Sequence, residues 1–123
     1  MATWDEVRKL ALALPEAEES TTHGNPAFKI SGKTFAWEST HAPGALALRC
    51  DIGERPLMIE ENRELFFVIP HFEDYSAVLV RFEHADAEEL ADRIEESWLL
   101  VAPKRLADAY AATASRGSRR ETT

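Results

Sequence analysis

The stretch AFKISGKTFAWE, residues 27–38, decides the fold of this chain because it has the pattern of two strands joined by a tight turn. Aromatic or branched residues alternate with other residues in Ala27–Ser31 and again in Thr34–Glu38, which is typical of strands with one buried face. Gly32 and Lys33 separate the two runs, as in a β-hairpin. The stretch therefore predicts an antiparallel pair of strands.

More strands are indicated on the C-terminal side of this hairpin. Residues 45–50, 66–70 and 77–83 are short runs rich in apolar residues and bounded by turn residues. Together with the hairpin they predict an antiparallel sheet of about five strands. The polar residues 16–22, on the N-terminal side, are interpreted as a connection.

Helices are predicted at both ends of the chain. Apolar residues recur every three or four positions in 4–14 and in 86–101, and each run opens with the spacing of a capping box. Shorter helical stretches are indicated after Pro56 and after Pro103. The sequence thus predicts a single α+β domain over residues 1–112, with helices packed on one face of the sheet. Residues 113–123 are interpreted as a flexible basic tail.

The composition limits the class of protein. The chain has 123 residues, a net charge of −8 and a hydrophobic content of 45%, which is enough for a core without disulfides or metal. The single cysteine favours a reducing, cytoplasmic location, and the N-terminus lacks the apolar core of a signal peptide. No run approaches the length of a membrane span, so no membrane partner is expected.

Signatures of metal, cofactor or catalytic chemistry are weak in this sequence. The four histidines are scattered and the glycines stand alone in turns, so neither a metal site nor a cofactor is expected. Cys50 is predicted to be a small buried hydrophobe at the end of a strand. Glu95 and Glu96 are predicted to face solvent on a helix. We therefore predict a protein without enzymatic activity.

Positive residues are the main candidates for a binding surface. Strand alternation places Lys29, Arg49 and Arg81 on the side of the sheet opposite the core, with Lys33 at the hairpin tip. Ordinary alternation on a wet sheet face is the simpler interpretation of the same pattern. The functional hypothesis is a DNA contact that is weak and salt-sensitive, because the pI is near 5.0. The full candidate set is Lys29, Lys33, Arg49, Arg81, Lys104 and Arg105.

Two alternatives use other residues, beside the sheet or on its uncovered face. His23, His71 and Tyr75 are candidates to line a groove for a small ligand. Ala45, Ala47 and Leu79 are expected to form a partly apolar strip on an uncovered sheet face. Such a strip would suit a protein-interaction module or a homodimer.

The order of sequence blocks resembles a known family. The blocks TWDEVRKLALALPEAEE, HGNPAFKISGKTFAW, ALALRCD, ENRELFFVIPHF, YSAVLVRFE and ESWLLVAPKRL, which run from Thr3 to Leu106, are similar to those of the MmcQ/YjbR-like family of small bacterial proteins. This resemblance implies an α+β domain with the double-wing, frataxin-like arrangement. It also implies a DNA-binding label that rests on fold analogy, with no enzymatic activity attached.

Overall fold

The computed structural model describes residues 3–22, 24–39, 41–42 and 44–117. Within them, six strands form one antiparallel sheet and four α-helices accompany it, which confirms the predicted α+β class. In chain order the elements are α1 (Trp4–Leu12), β1 (Glu18–Thr22), β2 (Asn25–Ile30), β3 (Lys33–Glu38), β4 (Leu46–Arg49), α2 (Arg55–Glu61), β5 (Phe66–Phe67), β6 (Ala77–Val80), α3 (Ala87–Val101) and α4 (Lys104–Gly117).

The hairpin of β2 and β3 lies within a sheet of order β1-β2-β3-β4-β6-β5. Its turn is at Ser31 and Gly32, one residue earlier than predicted. Both residues have positive φ, 52° and 80°, which is the backbone of the two-residue turn that matches strand twist. A register shift at Phe28/Lys29 lets Lys29 pair with Thr34.

The strand β1 was predicted to be a polar connection, and this prediction is wrong. Glu18–Thr22 pairs with β2 along its whole length, from Glu18 opposite Lys29 to Thr22 opposite Asn25. An edge strand needs backbone partners on only one side, so its polar side chains do not prevent pairing. The strand predicted at residues 77–83 is shorter than expected and ends at Val80, because a 3₁₀ turn begins at Phe82.

The first face of the sheet, as we call the side covered by α1 and α3, holds the main core, and the predicted placement of helices on one face is confirmed. Trp98 of α3 is fully buried, and its indole N–H donates to the carbonyl of Pro15 at 3.2 Å. None of the described helices is long and apolar enough to cross a membrane. The largest buried side chains here are Phe28, Ile30, Phe35, Leu46, Leu48, Leu65, Phe66, Leu90, Ile94 and Trp98.

Glu95 lies in this helical layer and is only 4% exposed, so the prediction that it faces solvent is wrong. The hydroxyl of Tyr110 on α4 donates to its carboxylate. The sequence pattern of α3 did not reveal this, because the cover comes from another helix. Glu96, the next residue, is exposed as expected.

The second face of the sheet, opposite these helices, is covered by a loop. This loop, residues 69–77, contains a 3₁₀ turn at Pro70–Phe72 and packs Phe72 against Trp37, with ring centroids 6.3 Å apart. The expected uncovered apolar strip is therefore absent: Ala45, Ala47 and Leu79 are 6%, 0% and 0% exposed. The buried residues of the second face are Ala27, Trp37, Ala45, Ala47, Phe72, Ala77 and Leu79.

Candidate functional site

The covering loop is held in place by Arg55, the first residue of α2. This side chain is only 8% exposed, and its guanidinium donates to four backbone carbonyls of the loop. Nη1 donates to Phe72, Tyr75 and Ala77 at 2.8–3.0 Å, and Nη2 donates to Glu73 at 2.8 Å. Buried charge is costly unless it is hydrogen-bonded, and these carbonyls accept hydrogen bonds from both Nη atoms. One side chain thus binds four carbonyls of this segment, in addition to the backbone hydrogen bond from the N–H of Cys50 to the carbonyl of Ser76.

The loop places Tyr75 beside a buried tryptophan and an arginine. The ring centroid of Tyr75 lies 6.3 Å from that of Trp37, edge-on, and 5.4 Å from that of Phe72. The guanidinium carbon of Arg49 lies 5.4 Å from the ring centroid of Trp37 and 5.8 Å from that of Tyr75. Tyr75 remains 45% exposed, so its ring is available to a ligand. These four residues, Trp37, Arg49, Phe72 and Tyr75, are called the aromatic cluster below.

Arg49 of this cluster is at the same end of the sheet as two other predicted cations, Lys29 and Lys33. Lys29 is the register partner of Thr34, whose carbonyl accepts a hydrogen bond from Nε of Arg49 at 3.0 Å. Lys33 and Arg49 line a shared cleft of about 530 Å³ beside the hairpin tip. Within the described residues, none of the three is in an ion pair, although Glu18 is opposite Lys29 in the register. Lys29, Lys33 and Arg49 are called the cationic end.

The other three predicted cations lie elsewhere. Arg49 pairs with Ala77, the first residue of β6, whereas Arg81 comes directly after Val80, the last residue of β6. Arg81 is therefore at the other end of the sheet from Arg49. Its guanidinium is 4.1 Å from the ring centroid of Phe67.

Lys104 and Arg105 are on α4, in the helical layer. Lys104 is 2.6 Å from a carboxylate oxygen of Asp108, and Arg105 is 3.7 Å from one of Glu16. The ion pair with Asp108 raises the pKa of Lys104. The six candidates therefore do not form one continuous positive surface.

Two of the three residues predicted to line a ligand groove, His71 and Tyr75, lie close to each other in the structure. His71 and Tyr75 are on the same covering loop, while His23 lies outside the described residues. The ring of His71 stacks on that of His41, with centroids 3.6 Å apart. Both imidazoles are exposed and sit at the border of the aromatic cluster, since His71 also contacts Phe72 edge-on. Across the described part of the chain, no group of three or more His, Cys, Asp or Glu could hold a metal ion.

Cys50 follows β4 and is buried, as predicted. Burial raises the pKa of its thiol; Arg55 opposes this rise, and the nearby carboxylates of Asp51 and Glu54 add to it. A thiol with a raised pKa is protonated at neutral pH and is a poor nucleophile. The residue is therefore suited to packing rather than to covalent chemistry.

Sequence reasoning did not identify Arg55 or His41 as part of this surface. Arg55 precedes Pro56 at the start of a helix, where a charged residue is usually exposed, and its carbonyl partners are 17 to 22 residues away. Nothing local in the sequence indicates such contacts. His41 lies between β3 and β4, and its partner His71 lies in a loop far along the chain.

Most of the chain, residues 12–100, matches the family model described as YjbR. The chain belongs to the YjbR family. Uncharacterized proteins of Mycobacterium bovis and Mycobacterium tuberculosis are 31% identical to it over 129 aligned residues, which cover 91% of this chain and 98% of each relative. The family resemblance seen in the sequence is thereby confirmed.

The YjbR-family fold is also found in a solved structure. The crystal structure of Deinococcus radiodurans protein DR2400, with a DUF419 domain, matches with a TM-score of 0.70. The match covers 85% of this chain and 82% of that one, at 22% sequence identity. At this identity the likeness shows a shared fold.

Proposed function

We propose that this YjbR-family chain is a non-catalytic binding module that holds single-stranded DNA weakly at the cationic end, next to Tyr75. The observation that carries the proposal is the guanidinium of Arg49, which lies 5.8 Å from the half-exposed ring of Tyr75 at the same end of the sheet as Lys29 and Lys33. Among the described residues, none of these three cations is in an ion pair. Proteins that bind single strands combine positive side chains that follow the backbone with aromatic rings on which bases stack. Lys29, Arg49 and Tyr75 are at one end of the second face. Lys33 is at the same end of the sheet but pairs with Ile30, whose side chain is in the core of the first face.

The geometry of Arg49 supports a phosphate contact. Its Nε donates a hydrogen bond to the carbonyl of Thr34, and its guanidinium carbon lies within 6 Å of two aromatic ring centroids. No hydrogen bond from Nη1 or Nη2 occurs among the described residues, which leaves donors for an anion. Arginine suits this role because its planar group can stack on a ring and donate to phosphate together.

The small size of the cationic end favours a short single strand over a duplex. Arg81 lies toward the far end of the sheet, and Lys104 and Arg105 are already paired with carboxylates. A duplex contact would require a wider positive surface on a chain whose net charge is −8. The same negative charge keeps the affinity low and makes it fall with added salt.

The test is a titration of fluorescently labelled oligothymidylate, followed by anisotropy at several salt concentrations. Each phosphate contact to a single strand contributes about −0.7 to the slope of log K against log salt concentration. Three contacts predict a slope of about −2, whereas use of all six cations would give a slope of about −4. Absence of binding at low salt contradicts the proposal.

A pair of matched variants locates the surface. Replacing both Lys29 and Arg49 by Gln removes two charges at the cationic end, and we expect binding to become undetectable or to weaken by about tenfold. Replacing both Lys104 and Arg105 by Gln removes the same charge from α4 and is expected to leave affinity within about twofold. Equal losses in the two variants would show that only net charge matters, which contradicts a local site.

The alternative functional prediction, a protein-interaction module or homodimer, has lost the apolar strip on which it was based, because the covering loop buries that strip. Light scattering of the purified chain tests the oligomeric state directly. The cytoplasmic location remains a prediction from the cysteine content, and cell fractionation checks it.

A further inference from the structure

A second cleft, of about 380 Å³, lies on the helical side of the sheet, where β4 ends between α2 and α3. Its volume is in the range of sites that hold small organic molecules. Leu100 at its edge is 55% exposed, so apolar surface is available there to a ligand. The apolar lining consists of Leu48, Met58, Val78, Leu99 and Leu100.

The thiol of Cys50 also lines this cleft. Cys50 is 8% exposed, and no hydrogen bond of its sulfur occurs among the described residues. The wall next to it is polar: Ser97 donates its hydroxyl to the carbonyl of Arg49 at 2.7 Å. The cleft thus combines an apolar interior with a buried polar atom that has no protein partner in the described part of the chain.

The charged side chains that line the cleft differ in whether they already have partners. Arg93 is already engaged, with Nη1 3.2 Å from Glu96, Nε 3.9 Å from Glu89, and its guanidinium carbon 5.0 Å from the ring centroid of Phe66. Arg49 directs its guanidinium to Trp37.

Asp51 and Glu54 carry the remaining charge. Both are exposed at the edge of the cleft, and within the described residues neither is in an ion pair. One oxygen of Asp51 accepts the N–H of Gly53 at 2.8 Å, which orients the carboxylate. The available charge of the cleft is therefore negative.

We propose that this cleft binds a small organic cation, an amine carried on an apolar or aromatic body. The ammonium group lies beside the carboxylates of Asp51 and Glu54, and the apolar body packs between Met58 and Leu100. An anion of the same shape is disfavoured because it would approach two uncompensated carboxylates. This cleft adjoins the cleft beside the hairpin tip, with which it shares Arg49, Cys50 and Leu100, and it takes a ligand of opposite charge from the proposed DNA contact.

The test is a titration of the ¹⁵N-labelled chain with three probes of similar shape: phenethylamine, phenethyl alcohol and hydrocinnamate. We expect phenethylamine to shift the amide signals of Cys50, Ser97 and Leu100 with a saturating curve. Phenethyl alcohol should bind about tenfold more weakly, the loss expected from removing two partly exposed charge contacts. Hydrocinnamate should not bind. Equal binding of all three probes, or no shifts at these residues with the amine, overturns the proposal.

Variants supply an independent test of the charge argument. Changing Asp51→Asn together with Glu54→Gln keeps the size of both side chains and is expected to weaken phenethylamine binding by about tenfold. Changing Glu60→Gln together with Glu61→Gln removes the same charge from exposed positions of α2 and should leave it within about twofold. Equal weakening by both pairs overturns the assignment of the ammonium site. The probe comparison on the wild-type chain decides the proposal even if one variant folds poorly, and either result is independent of DNA binding.

Discussion

The two faces of the sheet are built in different ways. The first face is buried by two helices whose apolar residues meet those of the strands, and Trp98 lies in its centre with no exposed surface. The second face is buried by a loop, and one guanidinium, that of Arg55, fixes this loop through four carbonyls. Hydrophobic burial stabilises both faces, and on the second face hydrogen bonds to a buried charge also hold the cover in place.

Because of this difference, we assign the main contribution to stability to the first face and the candidate binding surface to the second. A packed helical layer tolerates little rearrangement and leaves few polar groups free. The covering loop presents Tyr75 and His71 to solvent while Phe72 fills the core beneath them. The candidate DNA surface accordingly lies on the loop-covered face.

The largest expected effect is on the first face. Leu46 has no exposed surface and contacts the main core, so Leu46→Ala should lower the free energy of unfolding by about 3 kcal/mol. Leu57→Ala, at a position that is 56% exposed, should lower it by less than about 0.5 kcal/mol. Urea denaturation measures both. Similar values for the two variants would contradict the description of the first face as the main source of stability.

Replacing Arg55 breaks the second face selectively. Arg55→Met keeps the apolar stem but leaves four carbonyls without their donor, so we expect a loss of about 2 kcal/mol in unfolding free energy. The near-ultraviolet circular dichroism of Trp37 and Tyr75 should weaken while the far-ultraviolet spectrum is retained. Arg63→Met, at an exposed position, is the control. An unchanged near-ultraviolet spectrum in Arg55→Met would show that the loop does not depend on this residue.

The turn between β2 and β3 allows two changes of opposite sign. Gly32 has a φ of 80° and open space around the position of a Cβ, so Gly32→Ala should cost about 1 kcal/mol from backbone strain alone. Ser31 has a φ of 52°, and Ser31→Gly should therefore be neutral or stabilising by up to about 1 kcal/mol. Thermal denaturation of both variants gives the two signs. A stabilised Gly32→Ala would contradict the turn geometry, which positions Lys33.

The smallest effect concerns the pH dependence of stability. Because burial raises the pKa of Cys50 above its ordinary value of 9.0, the folded chain keeps this proton where the unfolded chain loses it. The stabilisation is fully present below the unfolded pKa and is lost as pH rises through the folded pKa. Between about pH 7 and about pH 10, the wild-type chain should lose more stability than Cys50→Ala. Parallel pH profiles would contradict this burial effect.

The sequence predicts the first face better than the second. Period-two alternation in β2, β4 and β6 is local, so the sequence alone assigns Phe28, Leu46 and Val78 to one side of the sheet. The hydrogen bonds of Arg55 join positions 17 to 22 residues apart and leave no periodic signal. The covering loop could not be predicted for the same reason, and Ala47 and Leu79 were expected to be exposed. Strand order, which separates Arg81 from Arg49, depends equally on tertiary pairing.

The most direct test of the central claim, that the loop-covered face holds the DNA contact, is a map of amide signal changes when oligothymidylate is added at low salt. We predict changes concentrated at Lys29, Lys33, Arg49 and Tyr75, with little change along α3. Changes centred on α4 at Lys104 and Arg105, or no changes at any residue, would contradict it.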